Sequence, residues 1–393
     1  MIVHLFNSSV VSGPETLVLP ALREWGEKVC IVFLAESRLS EDAQRSPVEY
    51  ARKLGHEVHS VPVRSRWDRK AFLELRQLLD RIQPAAVHAH DVKASLYALK
   101  ASQLKIGKPV ETGKFKLIST HHGAAARKGK IRLYEEFYVR MLLPHFDATL
   151  CVCESDRLSL LRRGLRAEKL HLHLNGADRD WVAPEERSDA QLKIRERWNQ
   201  IAVPGLPLPD LKPRLLLGAV ARLSSEKRHD RMLRALKVIR NLHPELPISL
   251  VCFGIGDQDQ ALRTLAHELG VEDSVHWMGY SKTIGQEMAG FDLLLCLSDG
   301  EGIPVNLIEA GWTGTPVLST RVGGIPDLIP DPSVGFLVEK TQTDEFIGRK
   351  MSELLLNPHL LRETGQRYQE RVCSTFSQKA WLDRLEEIYA TLT

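Results

Sequence analysis

Two cations stand close together after an apolar run in the second half of the chain. Arg222 follows Arg214–Ala221, which we predict to be a strand, and Lys227 comes five residues later, before a predicted helix. In a parallel α/β sheet this spacing brings both cations to the carboxyl edge, where an arginine and a lysine can hold a diphosphate without a metal ion. Two solvated surface cations are the alternative interpretation.

Two carboxylates flank the start of another predicted helix. Glu301 precedes the helix expected at Pro304–Trp312, and Glu309 lies in its second turn. Carboxylates accept hydrogen bonds from sugar or ribose hydroxyls, and the amides of Gly302-Ile303-Pro304-Val305 stand at a helix start, which attracts phosphate. An acidic residue near a helix start also complements the helix dipole without binding anything. Both interpretations stay open from these residues alone.

Glycines mark further junctions between a strand and a helix. Gly254 and Gly256 follow one predicted strand, and Gly13 precedes the first predicted helix, beside residues spaced as a capping box. Such turns let a ligand approach the backbone closely, although a tight turn alone explains them as well. The pair Gly323-Gly324 fits a simple turn. The GxGxxG fingerprint of dinucleotide-binding proteins is absent from the first junction.

The chain alternates twice between short apolar runs and amphipathic stretches, the pattern of βαβ units that build a parallel sheet. The charged and proline-rich stretch Val182–Pro213 separates the two alternations. We predict an α/β fold with two doubly wound, Rossmann-like domains, an N-terminal one over residues 1–180 and a C-terminal one over 181–375. A final amphipathic helix, within 376–393, should pack back on the first domain. Ligands of such folds bind outside the strand carboxyl ends, so we expect an interdomain cleft to hold the site.

The apolar runs and helical stripes also give boundaries for single elements. The strands of the first domain are expected at Ile2–Phe6, Val29–Leu34, Glu57–Val61, Ala85–Ala89, Leu117–Thr120 and Ala148–Cys153. Its clearest helices are expected at Arg69–Ile82 and Ile131–Leu143. The strands of the second domain are expected at Arg214–Ala221, Ile248–Phe253, Val275–Met278, Leu293–Leu297 and Pro316–Ser319.

Composition excludes several classes of protein. The 393 residues are 43% hydrophobic and 26% charged, which argues against a disordered, collagen-like or coiled-coil chain. The net charge of +3 gives no nucleic-acid signature. The six cysteines form no CxxC pair, so we expect them to be reduced residues of the core. No long apolar run and no signal peptide is evident, so we expect a cytoplasmic protein.

These motifs, in this order, resemble those of the retaining GT-B glycosyltransferases of glycosyltransferase family 4. The resemblance covers nearly the whole chain, and its combination of motifs is specific although each fragment is common. The motifs are Ser12-Gly13, His121-His122-Gly123, Asn175-Gly176-Ala177-Asp178, Arg222 with Lys227, and Glu301 with Glu309. Family members commonly have a second glycine before the first helix and a Pro-Ser before the first carboxylate motif. This chain has Ser12-Gly13-Pro14 and Leu297-Ser298-Asp299-Gly300 there, and the family assignment is unaffected.

The resemblance implies a role for each motif. Arg222 and Lys227 would grip the diphosphate of a nucleotide-sugar donor, Glu301 would contact the donor sugar, and Glu309 the ribose. His122 precedes Gly123 as the family's sugar-facing histidine does, and His121 should point away. The expected catalytic residues are His122, Arg222, Lys227 and Glu301. The expected donor-binding residues are Gly13, Gly254, Gly256, Gly302, Ile303, Pro304, Val305 and Glu309, with Gly279 and Tyr280 as the nucleobase wall.

The resemblance also implies a reaction. A hexose-type sugar would pass from a nucleotide-sugar donor, UDP rather than GDP, to a glycan or lipid-linked acceptor with its anomeric configuration kept. The leaving phosphate would take the acceptor proton, and the two cations would stabilise the charge that develops. No metal ion and no other cofactor is expected, and neither is a nucleic-acid partner.

Positive charge concentrates in the N-terminal half. Residues 1–200 carry 33 Lys and Arg against 25 Asp and Glu, with basic loops around Trp67 and Phe115. In the resembled family the first domain binds the acceptor, so we expect these aromatic side chains to be exposed on a surface for an anionic acceptor or an anionic membrane. The protein would then be peripheral at the inner face of the membrane. A solubilising surface is the alternative.

Two other functions fit parts of the sequence. A nucleotide-sugar epimerase or a non-catalytic nucleotide-sugar binding protein could use the same fold, and formation of a new glycoside would distinguish them from a transferase. A metal hydrolase could use His88, His90 and Asp91 with His121 and His122, because alternating histidines project from one face of a strand. That reading leaves the motifs of the second domain unexplained.

Overall fold

The computed structural model describes residues 1–8, 11, 13–36, 46–65, 67–104, 115–121, 130–177, 189, 192–193, 196 and 215–392. Its contacts divide the chain into two compact units, Met1–Gly176 with Gln378–Thr393, and Ala177–Ser377. Most of the predicted linker Val182–Pro213 lies outside the described residues.

The first unit contains a parallel sheet. In the described part of this unit the strands are β1 (Ile2–Phe6), β2 (Val29–Glu36), β3 (Val58–Val63), β4 (Ala86–Ala89), β5 (Lys116–His121), β6 (Ala148–Cys151) and β7 (Leu170–Leu172). Their order across the sheet is β3-β2-β1-β4-β5-β6-β7, and each neighbouring pair is parallel. The order reverses direction at β1, as in a doubly wound sheet.

The helices of the first unit cover this sheet. Among the described residues up to Gly176 they are α1 (Gly13–Leu22), α2 (Pro47–Lys53), α3 (Arg69–Ile82), α4 (Val92–Gln103), α5 (Lys130–Phe137) and α6 (Glu154–Arg162). Helix α3 begins where the Asp68 carboxylate accepts hydrogen bonds from the amides of Lys70 and Ala71, and it ends where Gln83 adopts a left-handed conformation. Helix α5 continues into the π-helical turn Tyr138–Leu142.

The second unit also contains a parallel sheet with helices. In its described residues the strands are β8 (Leu215–Val220), β9 (Ile248–Phe253), β10 (Val275–Gly279), β11 (Leu293–Cys296), β12 (Val317–Thr320) and β13 (Phe336–Val338), in the parallel order β10-β9-β8-β11-β12-β13. Its helices are α7 (His229–Leu242), α8 (Asp259–Glu268), α9 (Ile284–Met288), α10 (Val305–Thr313), α11 (Ile325–Leu328), α12 (Asp344–Leu355) and α13 (Pro358–Thr375).

The predicted fold class, two doubly wound parallel-sheet domains, is confirmed. The strands read as continuous apolar runs because helices cover both faces, and every residue of β9 is buried. The predicted strands match within a few residues, and the bounds of β1, β9 and α3 are identical to the predicted ones. Strands β7 and β13 were missed because three residues are too few to show a periodic pattern. All six cysteines are free thiols, and five of them are buried.

The chain ends in helix α14 (Gln378–Leu392), which belongs to the first unit. Its apolar face is buried there and includes Trp381, Leu385 and Ile388. Polar contacts fix the same face: the Tyr389 hydroxyl lies 2.6 Å from Nδ1 of His88, and the Trp381 carbonyl lies 3.0 Å from Nε2 of His173. The apolar face predicted for the C-terminal helix thus packs against the first sheet and its helices.

Candidate functional site

The predicted cation pair stands on the segment that follows β8. Arg222 comes two residues after the strand, and its side chain is 77% exposed. Lys227 ends the 3-10 turn Ser225–Lys227, and Arg228 then adopts a left-handed conformation (φ 54°, ψ 41°) before α7 begins. Both cations therefore lie at the carboxyl edge of the second sheet, where the sequence placed them.

Lys227 meets the first predicted carboxylate. Its Nζ donates a hydrogen bond of 2.6 Å to Oε1 of Glu301, and the two side chains are only 19% and 10% exposed. Arg222 has a looser partner, since its guanidinium lies 3.4 Å from the Glu226 carboxylate. Three of the four predicted catalytic residues thus stand in adjoining loops of one sheet. The fourth, His122, lies outside the described residues.

Asp299 anchors the loop that carries Glu301. Its amide donates to the Glu226 carbonyl at 2.8 Å, its Oδ1 accepts from Arg228 at 3.2 Å, and its carbonyl accepts from Nζ of Lys340 at 3.0 Å. The loop is therefore tied to the β8 loop and to the segment after β13. No local pattern reveals this role of Asp299, because its partners lie 41 to 73 residues away.

Gly323 packs directly against the backbone of Glu301. A Cβ atom at Gly323 would overlap the Glu301 carbonyl oxygen, and the residue has a positive φ of 54°. The next amide, of Gly324, donates to the Gly302 carbonyl at 3.0 Å. The Gly-Gly pair, interpreted from sequence as a simple turn, thus holds the loop of the first carboxylate.

The glycines after β9 also allow two backbone segments to approach each other closely. Cβ atoms at Gly254 and Gly256 would overlap the carbonyl oxygens of Ala221 and Leu223. The loop after β9 therefore rests on the loop that carries Arg222. This contact explains the glycines in the structure, and their predicted contact with a donor stays a prediction.

The start of α10 fits the predicted anion-binding segment. Pro304 is the N-cap residue and Val305 begins the helix, and the Pro304 side chain makes no capping hydrogen bond to its first amides. Ile303 is buried, and the Asn306 side chain donates to the Val220 carbonyl at 2.6 Å, which ties the helix to β8. A helix start without a side-chain cap retains the partial positive charge of its amides.

Glu309, the second predicted carboxylate, lies in the second turn of α10. It is 5% exposed, and the side chain of Glu301 is 10% exposed. Both carboxylates are therefore largely withdrawn from solvent, and their predicted difference in depth stays a prediction.

An exposed aromatic ring stands beside these loops. Tyr280 follows β10 and is 72% exposed, and Ile255 in the loop after β9 is 51% exposed. The two loops touch, because the Gly254 amide donates to the Gly279 carbonyl at 2.8 Å. Gly279 has a positive φ of 66°, which turns the chain after the strand. The pair predicted as a nucleobase wall thus offers an apolar face at the same sheet edge.

In the first unit the structure describes only part of the predicted site. Gly13 begins α1 at the carboxyl end of β1. His121 ends β5 and is 6% exposed, with its Nδ1 3.8 Å from Oδ2 of Asp156 and its ring stacked on Tyr138. His121 therefore faces the interior of this unit.

Of the histidines in the hydrolase hypothesis that the structure describes, His88 and His90 lie in the core and not in an open metal centre, and His122 lies outside the described residues. His88 and His90 group with His4 in the core, with ring nitrogens within 4.8 Å of one another and 0–3% exposure. Nδ1 of His4 lies 2.9 Å from Nε2 of His90, and His88 contacts the Tyr389 and Thr120 hydroxyls. Hydrogen bonds thus occupy this buried cluster, which gives a substrate no access.

The aromatic residues of the basic loops differ from each other. Trp67 is 55% exposed, as predicted, beside the exposed side chains of Arg64, Arg69 and Lys70. The prediction for Phe115 is wrong: this ring is half-buried and packs against the core of the first unit, because it directly precedes β5. Six further basic positions of these loops lie outside the described residues: Arg66, Lys105, Lys108, Lys114, Arg127 and Lys128.

Within the part of the chain that the structure describes, no helix has both the length and the apolar character needed to cross a membrane.

Comparison with known proteins identifies the family. The model of Glycosyltransferase Family 4 matches residues 16–181, and that of Glycosyl transferases group 1 matches residues 209–371. A Bacillus anthracis N-acetyl-alpha-D-glucosaminyl L-malate synthase is 29% identical over 167 residues, 42% of this chain and less than half (44%) of the synthase. The putative glycosyltransferase EpsD of Bacillus subtilis is 24% identical over 85% of this chain and 84% of its own.

Solved structures share the fold over the full length. Crystalline Anabaena HepE in complex with UDP superposes with a TM-score of 0.79 at 17% identity and covers 99% of both chains. This likeness establishes the fold, and the two family models, with the motifs above, establish the family. The chain belongs to the GT-B glycosyltransferases of glycosyltransferase family 4.

Proposed function

We propose that this protein is a retaining hexosyltransferase that binds its nucleotide-sugar donor at the carboxyl edge of the second sheet. The observation that carries the proposal is the convergence of Arg222, the Lys227–Glu301 pair and the uncapped start of α10 in adjoining loops. The cations and helix amides suit a diphosphate, and the carboxylate suits sugar hydroxyls.

The donor nucleotide is UDP in this proposal. The exposed ring of Tyr280, beside Ile255, offers an apolar surface of the kind on which nucleobases stack. HepE, which shares the fold over its whole length, was crystallised with UDP. Glu309, at the deeper position on α10, would accept hydrogen bonds from the ribose hydroxyls.

The reaction follows from where charge develops. As the bond between the sugar's anomeric carbon and the diphosphate oxygen breaks, negative charge grows on the leaving phosphate. Lys227 stabilises that charge from a preorganised position and Arg222 joins it from the exposed loop, and a new bond forms between the anomeric carbon and the acceptor oxygen on the same face. The acceptor proton passes to the leaving phosphate. In this scheme two protein cations do the work of a metal ion.

The acceptor is glycan or lipid-linked and meets the first unit. Trp67 and Leu73, 55% and 43% exposed, stand beside Arg64, Arg69 and Lys70 on the segment around the start of α3. Apolar side chains next to cations suit an anionic membrane surface or an anionic acceptor. Peripheral attachment at the inner face of the membrane would bring the enzyme to a lipid-linked acceptor.

The test is a transfer assay with the full chain. Radiolabelled UDP-glucose, UDP-galactose, UDP-N-acetylglucosamine and GDP-mannose are each incubated with bacterial membrane lipids and excess EDTA, and the product linkage is read by NMR. The proposal expects a new glycoside with retained configuration, formed in chelator. Inverted product, epimerised donor without transfer, or activity that appears only after magnesium or manganese is added back would contradict it.

A further inference from the structure

Lys227 and Glu301 neutralise each other at the candidate donor site. Their 2.6 Å hydrogen bond joins two side chains that are 19% and 10% exposed, so solvent screens the attraction only weakly. Breaking such a pair by removing one partner is costly, because the remaining charge stays partly buried. A ligand that forms an ion pair with Lys227 must therefore offer the Glu301 carboxylate another hydrogen-bond donor.

Two ligands that share a nucleotide differ in how they meet this requirement. The terminal phosphate of a nucleoside diphosphate brings negative charge and no sugar hydroxyl, so it competes with Glu301 for Lys227 and offers the carboxylate no donor in return. A nucleotide sugar brings hydroxyl groups that can donate to the carboxylate while its diphosphate takes the ammonium. The pair therefore opposes the first ligand more than the second.

We propose that Glu301 makes the protein selective for the sugar-bearing donor over the nucleoside diphosphate product, by competing with the product for Lys227. This inference rests on the proposed donor site. It assigns Glu301 a second effect beside contact with the sugar: once the sugar has been transferred, the carboxylate recovers the lysine and promotes product release.

Arg222 does not impose the same competition. Its side chain is 77% exposed, and its contact with Glu226 is 3.4 Å long. Exposed pairs of this kind contribute little to stability, so a phosphate can recruit Arg222 at small cost. The selectivity should therefore depend on Lys227 and Glu301 alone.

Equilibrium binding of UDP and UDP-glucose to the full chain, by calorimetry, tests the inference. Glu301→Gln keeps the shape of the side chain and removes its charge. We expect this variant to bind UDP about tenfold more tightly than the wild type, and UDP-glucose no more tightly. In a Lys227→Met background the same substitution should leave UDP affinity unchanged, because there is no lysine to compete for.

Asp257→Asn is the matched control. Asp257 is exposed in the loop after β9, so its substitution removes one negative charge from the same sheet edge without touching Lys227. We expect it to change the affinities for UDP and UDP-glucose equally and by less than about twofold. The inference is overturned if Glu301→Gln leaves UDP affinity unchanged, or if it tightens both ligands to the same extent.

The proposed function fails in a different way. If the wild type binds neither UDP, GDP nor their hexose conjugates, the donor-site assignment itself is wrong, and the inference falls with it. Wild-type binding of a donor together with an unchanged affinity of Glu301→Gln for the diphosphate would overturn the inference alone. Thermal unfolding of each variant verifies that it is folded.

Discussion

At the scale of single residues, the candidate site depends on charges held by backbone contacts between loops. The left-handed conformation of Arg228, directly after Lys227, orients Lys227. Asp299 and Gly323 hold the loop that carries Glu301. None of these supporting contacts binds a ligand in our account. They fix where the reactive charges stand, which is what electrostatic stabilisation of a transition state requires.

Removing either cation should reduce turnover strongly. We expect Arg222→Ala and Lys227→Ala each to lower kcat by roughly 10²–10³, the loss typical when one donor to a developing oxyanion is removed. Lys237→Ala, on α7 and with its side chain only half-buried, is the control and should retain full activity. Initial rates of nucleotide release at saturating donor measure the effect, and a folded variant with near wild-type kcat would remove that residue from the mechanism.

Gly323→Ala should damage both stability and activity. The new Cβ would overlap the Glu301 carbonyl, so the loop that carries the carboxylate must shift. Gly270→Ala is the control, because Gly270 has a similar φ of 62° with open space around it. We expect a cost of about 1 kcal/mol for the control without loss of kcat, and a larger cost with a marked loss of kcat for Gly323→Ala. Equal kcat values would show that Gly323 does not position Glu301.

At the scale of elements, the sequence predicted which segments fold but not how their loops interlock. Continuous apolar runs and helical stripes reveal strands and helices, because a buried parallel strand must be apolar along its length. Arg222, Lys227 and Glu301 were found because they lie in the loops between a predicted strand and the next predicted helix. Asp299 and Gly323 were not identified, since their roles come from contacts with segments distant in the sequence, which no local pattern encodes.

His4 in β1 and His173, directly after β7, make the first unit sensitive to acid. Burial lowers the pKa of His4 to about 3 and that of His173 to about 4. The unfolded chain binds protons at both below about pH 6.5 and the folded chain does not, so the free energy of unfolding should fall as pH drops from 6.5 towards 4. Each histidine contributes roughly 1–2 kcal/mol of this loss between pH 6.5 and 5.

His173→Gln isolates the effect. Glutamine can still donate to the Trp381 carbonyl but does not titrate. We expect its free energy of unfolding to fall less between pH 7.5 and pH 5 than that of the wild type, measured by urea denaturation. Asp91, whose pKa burial raises to about 6, acts in the opposite direction but equally in both proteins. The same loss in both would mean that His173 is not buried in its neutral form.

At the scale of the whole molecule, charge divides between the two units. The basic, partly apolar segment around Trp67 belongs to the first, and the candidate donor loops belong to the second. This division agrees with separate surfaces for acceptor and donor. Substitutions in the Trp67 segment should therefore test the proposed membrane attachment without changing the candidate donor loops.

Attachment to anionic membranes should depend on salt and on the Trp67 segment. We expect the protein to sediment with phosphatidylglycerol vesicles at low ionic strength and to be released as salt rises, because each surface cation contributes about 1 kcal/mol that salt screens. Trp67→Ser with Lys70→Glu should weaken sedimentation at least about tenfold, whereas Arg362→Glu, exposed on α13 in the second unit, should not. If the wild-type protein stays in the supernatant at low salt, the Trp67 segment does not bind anionic membranes and serves only to keep the protein soluble.

Ligand-induced thermal stabilisation tests the donor site most directly. A nucleotide sugar that binds only the folded protein should raise the Tm by roughly 5–10 °C at about 100 times its Kd. Among UDP-glucose, UDP-galactose, UDP-N-acetylglucosamine and GDP-mannose, we predict that at least one UDP-sugar raises the Tm of the wild type in EDTA. The same ligand should leave the Tm of the folded Arg222→Ala/Lys227→Ala double variant nearly unchanged. An equal rise in the double variant, or no rise with any of the four, would contradict a donor site at the carboxyl edge of the second sheet.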